Sequence, residues 1–287
     1  MKIVGFGEAL WDIFPEGKKI GGAPANFAYH VAQWGLDACA VSAIGKDCLG
    51  DEIVKKFDEN GLNYILERVD YPTGTVQVEL DTNGVPSYII KEDVAWDNIP
   101  MTPALESLAK ECDAVCFGSL AQRSSVSRST INAFIDLMPM NSMKIFDINL
   151  RQHYYTEDVI SESMTRSDIL KINDEEIVVV AEMFGICGLS QREICKVLLE
   201  RFSLKMVILT CGDKGSYVLS QEESSWIDTP KVNVVSTVGA GDSFTGTFIA
   251  SILKGKTLRQ AHEAAVKVSA YVCTCQGAMP SIPENLI

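Results

Sequence analysis

The sequence predicts an α/β domain with a mostly parallel sheet covered by helices on both faces. Short apolar runs alternate with segments of helical spacing along most of the 287 residues. No linker, low-complexity stretch or repeat divides the chain. Glycine-rich or polar motifs follow the apolar runs, at the carboxyl ends of strands where such sheets bind ligands.

In order, KIVGFG reads as a buried first strand, and NFAYHVAQWG as a helix stopped by Gly35. ACAVSAIG is a second strand, followed by a helix, LGDEIVKKFDENG, closing at Gly61. The alternation then breaks. TGTVQVELDTNGVPSYII, Thr73 to Ile90, has two strand-like runs about an Asn83-Gly84 turn signal. WDIFPEGKKIGG also lacks helical periodicity, so a small discontinuous β lid is expected from about residues 10–22 and 73–97 within one domain spanning 1–287. From Asp113 the strands DAVCFG, MKIFDIN, DILKIN and KMVILTCG alternate with helices, and GSYVLSQEESSWID is a short β excursion. KVNVV reads as a last strand before the helix TGTFIASILKG and a small-residue helix, QAHEAAVKVSAYVCTC.

The net charge of −13 argues against nucleic acid or an anionic membrane as partner. Nine cysteines without a CxxC pair read as reduced thiols, and Cys273 and Cys275 as helix packing rather than a metal site. Glu8 and Asp12 interrupt the first apolar run too soon for a signal peptide, and no run reaches the ~18 residues of a membrane span. A cytoplasmic location is expected.

The stretch STVGAGDSF, Ser236 to Phe244, leaves backbone uncovered at Gly239, Ala240 and Gly241 where a helix begins. Its N–H groups and the helix N-terminus make an anion cradle. Asp242 reads either as a stabiliser of the helix N-terminus or as a base beside that cradle, the arrangement phosphoryl transfer requires. The helix N-terminus is expected to favour its charged form and so hold its pKa down. Two similar signals fail. LKGKT lacks the first glycine of a P-loop, with Ala250 in its place, and GFGEAL lacks the third glycine of a dinucleotide fingerprint.

GGAPANFA at Gly21 to Ala28 and TVGAGDSF at Thr237 to Phe244 resemble the two signatures of the ribokinase-like (PfkB) sugar kinases, in order and over essentially the full chain. GEALWD, FGSLAQR, DINLR and QGAMPSIP make it most similar to the bacterial fructokinases of that family. The resemblance implies a ribokinase-like fold and ATP-dependent phosphorylation of a free hexose, fructose first. Asp242 would be the catalytic base and the backbone of Gly239, Ala240 and Gly241 the anion hole. Asp12, Gly22 and Asn26 would hold sugar hydroxyls, Arg151 would bring local positive charge, and Asp97 would reach the sugar from the lid junction. Asn173 and Glu176 would organise Mg²⁺ largely through water, and Thr210, Gly212 and Gly215 would lie along the nucleotide. Asn173 and Glu176 also read as an ordinary helix start, and Arg151 as a salt-bridge partner.

Ser236 departs from the pattern. The family usually has an acidic residue there, belonging to a monovalent-cation site, whereas Gly277 and Ser281 keep the rest of it; K⁺ activation is thus in question. The resemblance further implies a homodimer through the lid. Readings held beside a fructokinase are a kinase for ribose, 2-keto-3-deoxygluconate or a nucleoside, a sugar-binding regulator without catalysis, and a nicotinamide-dependent oxidoreductase.

Overall fold

Apolar side chains on both faces of the first strand set the layering. In β1 (Lys2–Phe6), Val4 and Phe6 point into one core and Ile3 into another on the opposite face, as a strand buried on both sides must. The computed structural model describes residues 1–14, 17–80 and 86–287. After β1 come β2 (Leu10–Phe14), β3 (Gly17–Gly21), α1 (Ala23–Ala32), β4 (Asp37–Gly45), α2 (Cys48–Glu59), β5 (Asn63–Val69), β6 (Gly74–Leu80) and β7 (Pro86–Ile90). Next are α3 (Pro103–Glu111), β8 (Ala114–Phe117), α4 (Ser125–Leu137), β9 (Met143–Asp147), α5 (Glu157–Thr165), β10 (Ile169–Asn173), α6 (Glu176–Met183) and α7 (Gln191–Arg201). The chain finishes with β11 (Met206–Thr210), β12 (Ser216–Ser220), β13 (Ser224–Ile227), α8 (Ala240–Leu253) and α9 (Leu258–Val272).

The main sheet has the order β13-β12-β11-β10-β9-β8-β1-β4-β5. Its strands pair in parallel from β5 to β11, and β12 and β13 add antiparallel at one edge. One face is covered by α3 to α7, through residues such as Leu105, Phe134, Ile160, Ile177 and Leu198. The other is covered by α1, α2, α8 and α9, through Phe27, Phe57, Phe248 and Ala265. Strand order reverses between β1 and β8, which opens a crevice at their carboxyl ends.

A second sheet, β3-β2-β6-β7, draws on two distant pieces of chain, as the sequence leads one to expect. Trp11 fastens it to the body: its indole N–H donates to Leu49 O at 3.0 Å. The Asn83-Gly84 turn lies outside the described residues. No helix among the described residues is long and apolar enough to cross a membrane.

One expected element is absent. KVNVV, residues 231–235, forms no strand; Val232, Val234 and Val235 are exposed, and the N–H groups of Val235 and Ser236 both donate to Cys273 O. β-Branched residues favour a strand only where a neighbouring strand offers pairing, and here the segment is tied to the end of α9 instead. Two elements escape the sequence reading. β5 carries charge at Glu67 and Arg68, which hides it, whereas α3 is announced by Thr102 as N-cap and Pro103 behind it.

Candidate active site

Helix α8 begins in the crevice. Its N-cap, Gly239, has φ 80°, and a Cβ there would lie 2.7 Å from Ala278 Cα, so glycine is required on two grounds. Gly22, with φ 120°, is likewise pressed against Glu8, whose carbonyl oxygen would meet a Cβ at 2.3 Å. Gly22 is the N-cap of α1 and starts that helix against the chain leaving β1. The two signatures therefore meet: Asn26 of α1 donates from Nδ2 to Asp242 Oδ2 of α8 at 2.7 Å, across 216 residues of sequence.

Burial lifts the Asp242 carboxyl to about 6. Neighbouring Asp147 adds to the rise, while the Asn26 hydrogen bond and the charges of Lys171 and Arg151 oppose it. The expected depression by the helix N-terminus is overturned, because loss of water around a carboxylate among other carboxyls outweighs it. Asp242 as a residue is half-buried, in the first turn of α8.

Other predicted residues surround this pair. Asp12, on β2, is half-buried and raised to about 6 by burial, and Arg151 counters that rise. Arg151 is exposed, follows the left-handed Asn149 (φ 42°), and its charge also acts on Glu8 and Asp242. Its charge thus acts on three carboxyls at once. A cleft of about 100 Å³ is lined by Asp12, Phe14, Lys19, Ser236, Gly277 and Ala278 among others. It joins the small sheet to the loop before α8.

Asn173 and Glu176 form the helix start that the sequence also allowed. Asn173 Oδ1 accepts from the N–H groups of Glu175 and Glu176 at 2.9 and 2.8 Å, and Glu176 Oε2 accepts from Asn173 N at 2.9 Å. Glu176 Oε1 accepts from Leu150 N at 2.9 Å, which ties the DINLR loop to the same helix. Each oxygen keeps a lone pair, and Mg²⁺ takes one or two carboxylates with water and phosphates. Among the described residues no cluster of three or more His, Cys, Asp or Glu side chains could cage a metal, so Glu176 fits an ion carried in on phosphates. Thr210 pairs with Asn173 in register, and beyond it lie Gly212 (φ 55°) and Gly215 (φ 140°).

One assignment is not supported by the geometry. Asp97 is buried, with both oxygens taken by Arg123 at 2.8 Å and Oδ2 accepting from Val94 N at 3.2 Å. Arg123 is sandwiched between Trp96 and Tyr154, so Asp97 anchors a structural clamp with both carboxylate oxygens engaged. The residues expected at a K⁺ site are partly engaged with one another. Ser236 Oγ accepts from Val238 N at 3.3 Å, Ser281 is turned to the Tyr29 hydroxyl, and Lys19, its Nζ over the Phe14 ring, lines the same cleft as Gly277.

Three residues are given no role of their own by the sequence. Lys171 is buried on β10 and pairs with Asp147 at 3.1 Å; a lone lysine within the apolar strand DILKIN is the signal that marks it. Asp147 also accepts from Thr245 Oγ1 of α8 at 3.2 Å. Glu8 is buried, its Oε2 lacks a hydrogen-bond partner, and burial lifts it to about 7.

Residues 15–285 match the pfkB family of carbohydrate kinases. The chain belongs to that family. This pfkB kinase is 29% identical to an ATP-dependent 6-phosphofructokinase of Thermoanaerobacterium thermosaccharolyticum, over 93% of this chain and 83% of the relative. It is 26% identical to a fructokinase of Vibrio alginolyticus, over 97% of this chain and 95% of that one. Its fold superposes on a fructokinase with bound ATP from Xylella fastidiosa with a TM-score of 0.87 at 20% identity, covering 98% and 95% of the two chains. The pfkB kinase is thus a sugar kinase with the ribokinase-like α/β fold.

Proposed function

We propose that this sugar kinase transfers the γ-phosphoryl group of ATP to a primary hydroxyl of free fructose, giving fructose 6-phosphate. The observation that carries the mechanism is the Asn26 to Asp242 hydrogen bond of 2.7 Å, which fixes one carboxylate beside the amides that open α8. The fructose assignment rests on the fructokinase-like motifs and on the fructokinase relative.

In this reading Asp242 takes the hydroxyl proton and, above all, aims the oxygen at phosphorus. Bond making and breaking are loosely coupled in such transfers, so a carboxylate with a pKa of about 6 is base enough. The backbone of Gly239, Ala240 and Gly241 receives the transferred group. Asp12, Gly22 and Arg151 hold the sugar, Asn26 joins them while aiming Asp242, and Thr210, Gly212 and Gly215 flank the nucleotide. Glu176, through water, would hold Mg²⁺, which would supply charge neutralisation to the phosphates. The small sheet acts as a lid that excludes water from the crevice.

A second reading is a phosphorylated acceptor, favoured by the 6-phosphofructokinase relative and by Lys19 in the cleft opposite Asp12. Turnover with Mg-ATP across fructose, fructose 6-phosphate, ribose, 2-keto-3-deoxygluconate and adenosine separates them. Fructose should lead in kcat/KM; a lead by fructose 6-phosphate would move the assignment to the second reading.

A further inference from the structure

Charge is distributed unevenly around the cradle. Lys171 and Asp147 are direct neighbours in register on β10 and β9, on the face that looks toward α8, near the carboxyl ends of both strands. Their side chains are 9% and 8% exposed. Among the described residues Lys171 is the only buried lysine. Its Nζ would lie 3.0 Å from a Cβ placed on Gly241, which sets the ammonium against the first turn of α8. Asp147 holds that ammonium from one side at 3.1 Å and is itself held by Thr245 of α8 at 3.2 Å.

Stability alone does not call for such a pair, since apolar residues of similar volume often replace a buried ion pair without loss. Anion binding does call for it. The crevice holds Asp147, Asp242 and Glu176, all of which act electrostatically on Lys171, and a phosphoryl group entering among three carboxyls meets repulsion unless a cation stands there. Backbone amides provide only partial charges. Arg151, the other cation acting on Asp242, is exposed and screened by water.

We propose that Lys171 is a further catalytic residue of this kinase, its ammonium contacting the phosphoryl group in flight, with Asp147 and Thr245 as its positioning residues. The step balances without it. The acceptor oxygen forms the new P–O bond, the bond between γ-phosphorus and the bridging oxygen breaks with its electron pair leaving on ADP, and the hydroxyl proton passes to Asp242. Lys171 keeps its protons throughout and contributes charge where charge builds up. The inference rests on the assignment of the cradle in the proposed function.

Lys171→Met leaves Asp147 buried and unpaired and can fail to fold for that reason, so the deciding variant is Lys171→Met with Asp147→Asn. Purified wild-type, Lys171→Met, double-variant, Lys171→Arg and Asp242→Ala proteins are compared by thermal melting and by turnover with Mg-ATP and the best acceptor of the panel. Binding of ADP with and without aluminium fluoride, in the presence of that acceptor, completes the set. The double variant should melt close to wild type, yet lose roughly 10²–10³ in kcat, the usual cost of one lost transition-state donor. It should lose affinity for the aluminium fluoride complex by a similar factor and for ADP by much less, and Lys171→Arg should recover part of kcat. A double variant that folds and keeps kcat within a few-fold of wild type overturns the inference. Asp242→Ala separates the two claims: if it is inactive while the double variant is active, the base assignment survives and Lys171 falls, and the converse result spares Lys171 and removes the base.

Discussion

Replacing Asn26 with leucine removes the one side-chain hydrogen bond that lowers the Asp242 pKa. Asp242 works as a base only when ionised, so activity falls as pH drops through its folded-state pKa of about 6. A hydrogen bond to a charged group contributes about 1.5–3 kcal/mol, which at 1.36 kcal/mol per unit is a shift of roughly 1–2 units. The acid limb of kcat/KM should therefore move from about 6 in the wild type to roughly 7–8 in Asn26→Leu. At pH 6.5 protonation alone then removes roughly three- to 25-fold of the activity, and above about pH 9 that part of the loss disappears. The assay is kcat/KM for the acceptor from pH 5 to 9.5 at saturating Mg-ATP. Lost contacts between Asn26 and the sugar would lower the whole profile without moving its limb. A limb that stays near 6 in the variant would refute the claim that Asn26 tunes the base.

Asp242→Asn should stabilise the protein while abolishing activity. The folded-state pKa of about 6 lies above the ordinary 3.8, so the carboxyl's contribution to stability is intact below pH 4 and is lost as pH rises through 6. At pH 7.5 its charge costs about 2–3 kcal/mol, and the variant should melt roughly 3–5 °C higher there, with the gain fading by pH 4. Arg123→Leu should cost about 3–5 kcal/mol in denaturant unfolding because it leaves Asp97 buried and unpaired, and a second change, Asp97→Leu, should restore much of it. An Asp97→Asn protein of normal stability but raised sugar KM would contradict the clamp. Exchanging K⁺ for tetramethylammonium at constant ionic strength should change kcat little, since Ser236 brings no negative charge to the cleft it shares with Gly277.

Much of the architecture is legible because it depends on local pattern. Buried parallel strands such as KIVGF and MVILT advertise themselves as apolar runs, and the glycines about Asp242 mark a helix start that has to leave its amides bare. Tertiary facts are less visible. Nothing within KVNVV says that no strand will pair with it, and nothing in VAWDN says that Arg123 will claim both oxygens of Asp97. The pKa of Asp242 is hidden for the same reason: the helix N-terminus is written in the local sequence, but the crowding by Asp147 and the desolvation come from strands far away in it. Lys171 left a trace, a charge inside an apolar strand, yet its meaning depends on Asp147 standing beside it in register.

The most direct test of the account is Mg-ATP-dependent phosphorylation of fructose by wild-type and Asp242→Ala proteins, with nucleotide binding measured on both. The account predicts turnover by the wild type, a kcat lower by roughly 10²–10⁴ in the variant, and nucleotide affinity nearly unchanged. Near-normal turnover by Asp242→Ala would contradict it.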